Sequence, residues 1–516
     1  MNTISLPIDG GVKFFMKAEL YINKHYVIDR IDPRIYGSFI EHLGRAVYGG
    51  IYDPTHETAD EEGFRGDVLQ LVKAIGVPIV RYPGGNFVSG YRWEDGTGDK
   101  SKRPRRMDLA WEAIEPNEVG IDEFQSWAKK ADSSVMMAVN LGTRGLEEAQ
   151  VLVEYCNIER GTVYSDRRRQ NGFEKPFGIK TWCLGNEMDG HWQMGRKTAE
   201  EYGRVAAETA KIMKLTDSSI ELVLCGSSNY NMPTFGSWEM TSLDMAYDYV
   251  DYISLHQYYH NIRDKYEDFV GRSVHLDAFI RSVEAICDAV KAKKHARKTI
   301  NLSLDEWNVW YHSNGETYEK WKTGVSRLED VYNFEDALLV GCMLMTMQNH
   351  CDRVKMACIA QLVNVIAPIM TRNGGGAWAQ TTYYPYLYAS RYGRGETMRP
   401  VVKSETYQTT DGFTVPYLET SVIHDPETKT LTVFAVNRSK NEDMTLSLAL
   451  DGFETAKLME HIELYHDDLK AVNTENAEAV APKSRELPEN AREILLKKHS
   501  WNMLRYSYGD REYEPS

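Results

Sequence analysis

Between about residue 34 and residue 392, short β-branched or apolar runs alternate with longer amphipathic segments. This alternation constrains the fold more than any other feature of the chain. Strand candidates fall at 34–42, 77–85, 134–141, 177–187, 220–228, 249–259, 298–307 and 353–364, with helical patterns at 63–75, 121–131, 198–216, 274–294 and 332–350. In 198–216, Tyr202, Val205, Ala206, Thr209, Ile212 and Met213 recur at three- and four-residue steps, marking one face of a helix. Eight strands alternating with helices imply a parallel α/β sheet, and eight is the number that closes into a (β/α)8 TIM barrel. An open doubly wound sheet is the alternative. It is disfavoured because no Gly-rich dinucleotide fingerprint follows the first strand.

Past about residue 395 the helical period disappears. Segments at 413–418, 431–436, 446–450, 460–465 and 499–506 read as short strands separated by Asp, Asn, Gly and Pro turns. They predict a C-terminal antiparallel β-sandwich, jelly-roll-like in character. The stretch 13–28 also reads as extended and is expected to pair with it. The domains are therefore a barrel over 30–394 and a sandwich made of 1–29 plus 395–516.

Composition narrows the function. A net charge of −15, from 60 basic and 75 acidic side chains, argues against a nucleic-acid partner. The basic runs at 102–106 and 167–169 lie in polar, turn-rich stretches and read as solvated loops. The seven cysteines are scattered singly with no Cys-x-x-Cys pair, which fits buried free thiols in a reducing compartment. No signal-peptide pattern and no long apolar span is present, so the expected location is cytoplasmic, with no membrane partner.

In a barrel of this kind, functional side chains project from the C-terminal ends of the strands. Here those ends carry Glu41-His42, Arg81 through Asn86, Asn140, Asn186-Glu187, His256-Gln257-Tyr258, Asp305-Glu306 and Gln361. A structural barrel has no need of such a polar ring. Glu187 and Glu306 finish strands four and seven, three βα units apart, and so face one crevice from opposite sides. Cleavage of a glycosidic bond needs this pairing: one carboxyl protonates the leaving oxygen and one carboxylate meets the oxocarbenium-like carbon. An Asn-Glu dipeptide alone would more often be an ordinary helix-start residue.

The combination GSFIEHLGR (37–45), RYPGGNF (81–87), WCLGNEMDG (182–190), SLHQYY (254–259), DEWNVWY (305–311) and AQLVNVIAP (360–368) closely resembles the family 51 α-L-arabinofuranosidases. The motifs keep the family's order and span the whole barrel, while the loop from Trp93 to Trp111 matches less distinctively. The resemblance implies a retaining, exo-acting hydrolase that releases terminal α-L-arabinofuranosyl units from arabinan- or arabinoxylan-derived oligosaccharides. It implies Glu187 as acid/base, Glu306 as nucleophile and Asn186 as partner of the sugar's 2-hydroxyl. Glu41, Arg81, Asn86, Tyr258 and Gln361 would line the sugar pocket, with His256 in support and Trp111 and Trp310 as apolar walls. It also implies a homo-oligomer, often a hexamer.

Competing readings are a barrel glycosidase of β-glucanase or β-xylosidase specificity and a non-catalytic sugar-binding protein; retention of both glutamates argues against the second. No cofactor is expected. The segment 190–198 nearly matches a phosphate loop, but its lysine is displaced by one residue. His42, His256 and His260 lack metal-ligand spacing and read as hydrogen-bonded pocket histidines. No Gly-x-Ser-x-Gly elbow supports a serine triad. The stripe Met343, Met345 and Met347 reads as a buried helix.

Overall fold

A computed structural model describes residues 16–509; residues 13–15 of the N-terminal extended stretch lie outside them. The N-terminal strands are β1 (Met16–Asn23) and β2 (Val27–Arg30). The first two barrel strands follow, β3 (Gly37–Phe39) and β4 (Ile79–Tyr82), and then a hairpin of β5 (Arg106–Asp108) and β6 (Ala113–Glu115). The rest of the barrel comprises β7 (Ser134–Ala138), β8 (Thr181–Leu184), β9 (Glu221–Leu224), β10 (Tyr252–Tyr259), β11 (Asn301–Val309) and β12 (Val354–Ala360). Strands β3, β4 and β7 through β12 pair in chain order and close into a barrel, every pair parallel.

Burial on both faces explains why these strands read as continuous apolar runs. Phe39, Ile79, Met136, Cys183, Val223, Met356 and Cys358 form one cluster. Their strand neighbours Val80, Leu184, Leu224 and Ile359 belong to the larger core that includes the helices. Two of the cysteines thus pack with the first set, and all seven are buried and free. The helix Phe334–Asn349 is buried along nearly its whole length, which accounts for the methionine stripe. Its C-terminal end meets the C-terminal sheet, where Asn349 Nδ2 donates to Thr420 O at 3.0 Å.

The C-terminal strands form a seven-stranded and a four-stranded sheet. Strand β2 joins the first and β1 the second. The pairing of β1 with Met444–Asp451 is parallel, from Met16 opposite Met444 to Asn23 opposite Asp451, in a region expected to be antiparallel throughout. A parallel neighbour is open to β1 because the whole barrel lies between the two strands in the chain, supplying the long crossover such pairing needs.

The basic run at 167–169 is not a solvated loop. It lies on the helix Val163–Gln170, and Arg168 is fully buried. Its guanidinium donates to the carbonyls of Tyr155 (2.8 Å), Ile158 (2.6 Å), Glu159 (2.8 Å) and Phe173 (3.1 Å). In the run at 102–106, Arg103 is likewise tucked against Glu123 at 2.8 Å. Charge density in the sequence marked these positions as surface, but satisfying orphan carbonyls at chain turns outweighed it. Arg168→Ala leaves several buried carbonyls without donors and is expected to cost about 3 kcal/mol, read from urea unfolding. Arg160→Ala, at an exposed arginine, should leave the transition in place; equal transitions for the two variants would contradict this account.

Candidate active site

Alternation along a strand sends neighbouring side chains to opposite faces. Asp305 and Glu306 break this rule, because β11 carries one residue more than β10 between Ser303 and Glu306 and one more than β12 between Leu304 and Trp307. Its register slips against β10 between Ser254 and His256 and against β12 between Leu304 and Trp307. A bulge of this kind re-aims side chains near active sites. Leu304 and Trp307 stay in the outer core, while Asp305 and Glu306 both reach the polar cluster at the barrel mouth.

Glu187 arrives by a different route. Past the end of β8 its backbone takes φ +42°, the left-handed region that a residue with a Cβ rarely occupies. Such strain persists only where surroundings hold it, and it concentrates at functional sites. Oxygens of Glu187 and Glu306 and a ring nitrogen of His256 lie within 4.8 Å of one another.

Each carboxylate is held by donors. Glu306 accepts from Arg81 Nη1 at 2.7 Å and from Tyr258 Oη at 2.9 Å. Arg81 Nη2 donates to Asn186 Oδ1 at 2.7 Å, and Asn186 Nδ2 reaches Asn86 Oδ1 at 3.3 Å. His256 bridges two acids, with Nδ1 at 2.9 Å from Glu187 Oε1 and Nε2 at 2.8 Å from Asp305 Oδ1. Burial opposes a charged ring here, but Glu306, Asp305 and Glu187 outweigh it and push His256 up to about 10. An imidazolium donates from both nitrogens, and the ring links Glu187 and Asp305 in a hydrogen-bonded relay. Burial raises the Glu187 carboxyl, and the charge of Glu306 adds to that; His256 and the Trp192 indole pull the other way.

The mouth opens into a pocket of about 530 Å³ lined by Glu41, Asn86, Trp111, Glu187, Tyr258, Glu306, Trp310 and Gln361 among others. Glu41 accepts from Phe87 N (2.9 Å), Trp111 Nε1 (2.8 Å) and Gln361 Nε2 (3.4 Å). Burial nevertheless pushes it up to about 8. A Cβ at Gly85 would sit 2.4 Å from the Glu41 carboxylate, so only glycine lets the β4 turn pass this close. Trp111 rides the turn of the β5–β6 hairpin, where the Arg327 guanidinium lies 4.9 Å from its ring. Trp310 follows β11 and meets Tyr258 edge to face at 5.6 Å.

All eleven residues singled out in the sequence gather at this mouth. Eight line the pocket, while Arg81, Asn186 and His256 stand directly behind the lining and act on it through hydrogen bonds. The role of Asp305 beneath His256 was not legible, because the bulge is not. Trp192 was missed as well: its Nε1 donates to Glu187 Oε2 at 2.6 Å, from the segment weighed only as a phosphate loop. The available signal was an indole five residues past Glu187 on a glycine-flanked turn. Ser228, Asn229, Asn231 and Gln257 complete the rim.

A (β/α)8 barrel with a close carboxyl pair at the C-terminal mouth, backed by a guanidinium and an imidazole, defines a two-carboxylate glycoside hydrolase. Models of the alpha-L-arabinofuranosidase 1 domain and the alpha-L-arabinofuranosidase C-terminal domain match residues 71–277 and 305–500. The chain is 57% identical over 494 residues to the intracellular exo-alpha-(1->5)-L-arabinofuranosidase 1 of Bacillus subtilis, covering 95% of this chain and 99% of that one. It belongs to the family 51 α-L-arabinofuranosidases. A second relative, the intracellular exo-alpha-(1->5)-L-arabinofuranosidase of Acetivibrio thermocellus, is 55% identical, with 95% and 99% of the two chains covered. Among solved structures, a family 51 alpha-L-arabinofuranosidase from Bifidobacterium longum superposes with a TM-score of 0.92 at 44% identity, covering 96% of this chain and all of that one.

The relay generates a titration prediction. His256 should remain doubly protonated through neutral pH in ¹⁵N NMR, and Asp305→Asn should bring its titration down by removing one of the charges that hold the proton. Titration of the wild-type ring near 6.5 would contradict the arrangement.

Proposed function

We propose that the protein is a retaining exo-acting hydrolase that releases terminal, non-reducing α-L-arabinofuranosyl units, with Glu306 as nucleophile and Glu187 as acid/base. The spacing of the two carboxylates carries this reading. Oxygens of Glu187 and Glu306 lie within 4.8 Å of one another. Direct attack uses carboxyl groups about 5–5.5 Å apart, whereas water-mediated inversion needs about 6.5–9.5 Å.

The chemistry follows from the surroundings of each group. Arg81 and Tyr258 aim Glu306 and offset its charge. Burial and the neighbouring Glu306 favour a proton on Glu187, which suits a general acid. In the first step that proton passes to the leaving oxygen while Glu306 bonds to the anomeric carbon. The resulting ester has no charge, so Glu187 loses one reason to stay protonated and can take a proton from water in the second step. Asn186, fixed by Arg81, is suited to the sugar's 2-hydroxyl, where hydrogen bonds strengthen as the oxocarbenium-like state forms.

The substrates proposed are arabinan- or arabinoxylan-derived oligosaccharides met inside the cell, in a cytoplasmic homo-oligomer. Support for the substrate class and the location comes from relatives named as intracellular exo-alpha-(1->5)-L-arabinofuranosidases. No described helix is long and apolar enough to cross a membrane. Aryl α-L-arabinofuranosides, β-D-xylosides and β-D-glucosides separate this reading from a glycosidase of other specificity.

The first sugar released should have retained configuration by proton NMR; the inverted anomer would overturn double displacement. The two glutamates should also fail differently. Glu306→Ala should abolish turnover of every substrate. Glu187→Ala should lose roughly 10²–10⁴-fold on substrates whose leaving group needs a proton. Azide should then accelerate nitrophenyl arabinoside turnover by Glu187→Ala and give a retained azide product. Azide rescue of Glu306→Ala to an inverted product would exchange the two roles.

A further inference from the structure

Both carboxylate oxygens of Glu187 have partners, and the two are not equivalent. Oε1 faces His256 Nδ1 at 2.9 Å, on a ring buried between Glu187 and Asp305. Oε2 accepts the Trp192 indole N–H at 2.6 Å, and Trp192 lines the pocket with 42% of its surface exposed. The oxygen on the pocket side is therefore the one that can exchange a proton with a leaving group, and it is the one the indole holds.

An indole N–H only donates. Its bond to Oε2 is stronger to an ionised oxygen than to a hydroxyl and so disfavours a proton there, the reverse of what burial and Glu306 favour. The ring lies over Gly190, where a Cβ would come 2.6 Å from it, and its T-shaped contact with His191 has centroids 4.9 Å apart. The turn itself is fastened elsewhere: Gly190 N donates to Glu187 O at 2.9 Å, and buried Gln193 accepts from Asn186 Nδ2 at 3.4 Å and donates to Ser89.

We propose that Trp192 is a positioning residue whose indole N–H docks on Oε2 when Glu187 acts as base and gives way to the leaving oxygen when Glu187 acts as acid. The inference rests on the reading of Glu187 as acid/base. In the first step the Oε2 proton goes to the leaving oxygen as its bond to the anomeric carbon breaks and Glu306 takes that carbon. The indole N–H then binds the exposed lone pair. In the second step water attacks the same carbon, its proton goes to Oε2, and the bond to Glu306 breaks. The other charged or titratable groups around Glu187 are His256 and Tyr258 from β10 and Asp305 and Glu306 from β11, with Arg81 of β4 behind Glu306 and Asp189 and His191 on the turn that carries Trp192.

The test is Trp192→Phe, which keeps a ring and removes the donor. With phenyl α-L-arabinofuranoside, whose leaving group needs a proton, the alkaline limb of kcat/KM should move up by about one pH unit. With the dinitrophenyl arabinoside, whose slow step is the attack of water, the acidic limb of kcat should rise by a similar amount. Limbs that stay in place while only KM changes would make Trp192 a stacking surface and overturn the proposal. The same dinitrophenyl limb should vanish in Glu187→Gln; if it persists there, the acid/base assignment itself is wrong, a separate failure from that of Trp192.

Discussion

Asp305 and Glu306 are neighbours in a strand, yet both reach the barrel mouth, because β11 holds one residue more than β10 or β12 over the same span. Much else follows from that extra residue. Glu306 is placed to take hydrogen bonds from Arg81 and Tyr258. Asp305 drops beneath His256 and fixes its far nitrogen, which turns the near nitrogen toward Glu187. In a regular strand one of the two acids would point into the helical layer, and either the nucleophile candidate or the histidine's anchor would be lost.

Gathering acids here raises an electrostatic problem that the same residues answer. Glu41, Glu187, Asp305 and Glu306 share a largely buried space with two cationic side chains, Arg81 and His256. Four carboxyls facing two cations leave room for two protons before charge accumulates, and burying unbalanced charge is costly. The two carboxyls that burial raises are Glu41 and Glu187. Both line the pocket, and Glu187 is the proposed proton donor to the leaving oxygen. The charge count that makes the cluster tolerable thus also supplies a proton where the proposed chemistry needs one.

The parts of this architecture that obey a period could be read from the chain. Strand and helix alternation gave the barrel, and the switch from apolar to polar at strand ends gave Glu41, Arg81, Glu187, His256, Glu306 and Gln361. What breaks a period stayed hidden. The β11 bulge looks like any apolar-to-acidic transition, so the sequence places Asp305 at the strand end without its bond to His256. The turn carrying Trp192 has no hydrophobic pattern, and Trp111, on a hairpin within a loop of irregular composition, is reached only through the family resemblance. Arg168 misled for a related reason: a run of arginines indicates surface on average, while this one serves carbonyls that only the folded chain turns drive together.

Glu306 is the proposed nucleophile, and trapping its bond to the sugar tests that role most directly. A 2-deoxy-2-fluoro arabinofuranosyl donor with a good leaving group forms the ester readily and slows its hydrolysis, since the fluorine destabilises the oxocarbenium-like state of both steps. Proteolysis and tandem mass spectrometry of the inactivated protein should find one fluorosugar on Glu306, with Glu187 unlabelled and the adduct lost on reactivation. A stable label on Glu187, or full inactivation with Glu306 unmodified, would contradict the assignment of the nucleophile.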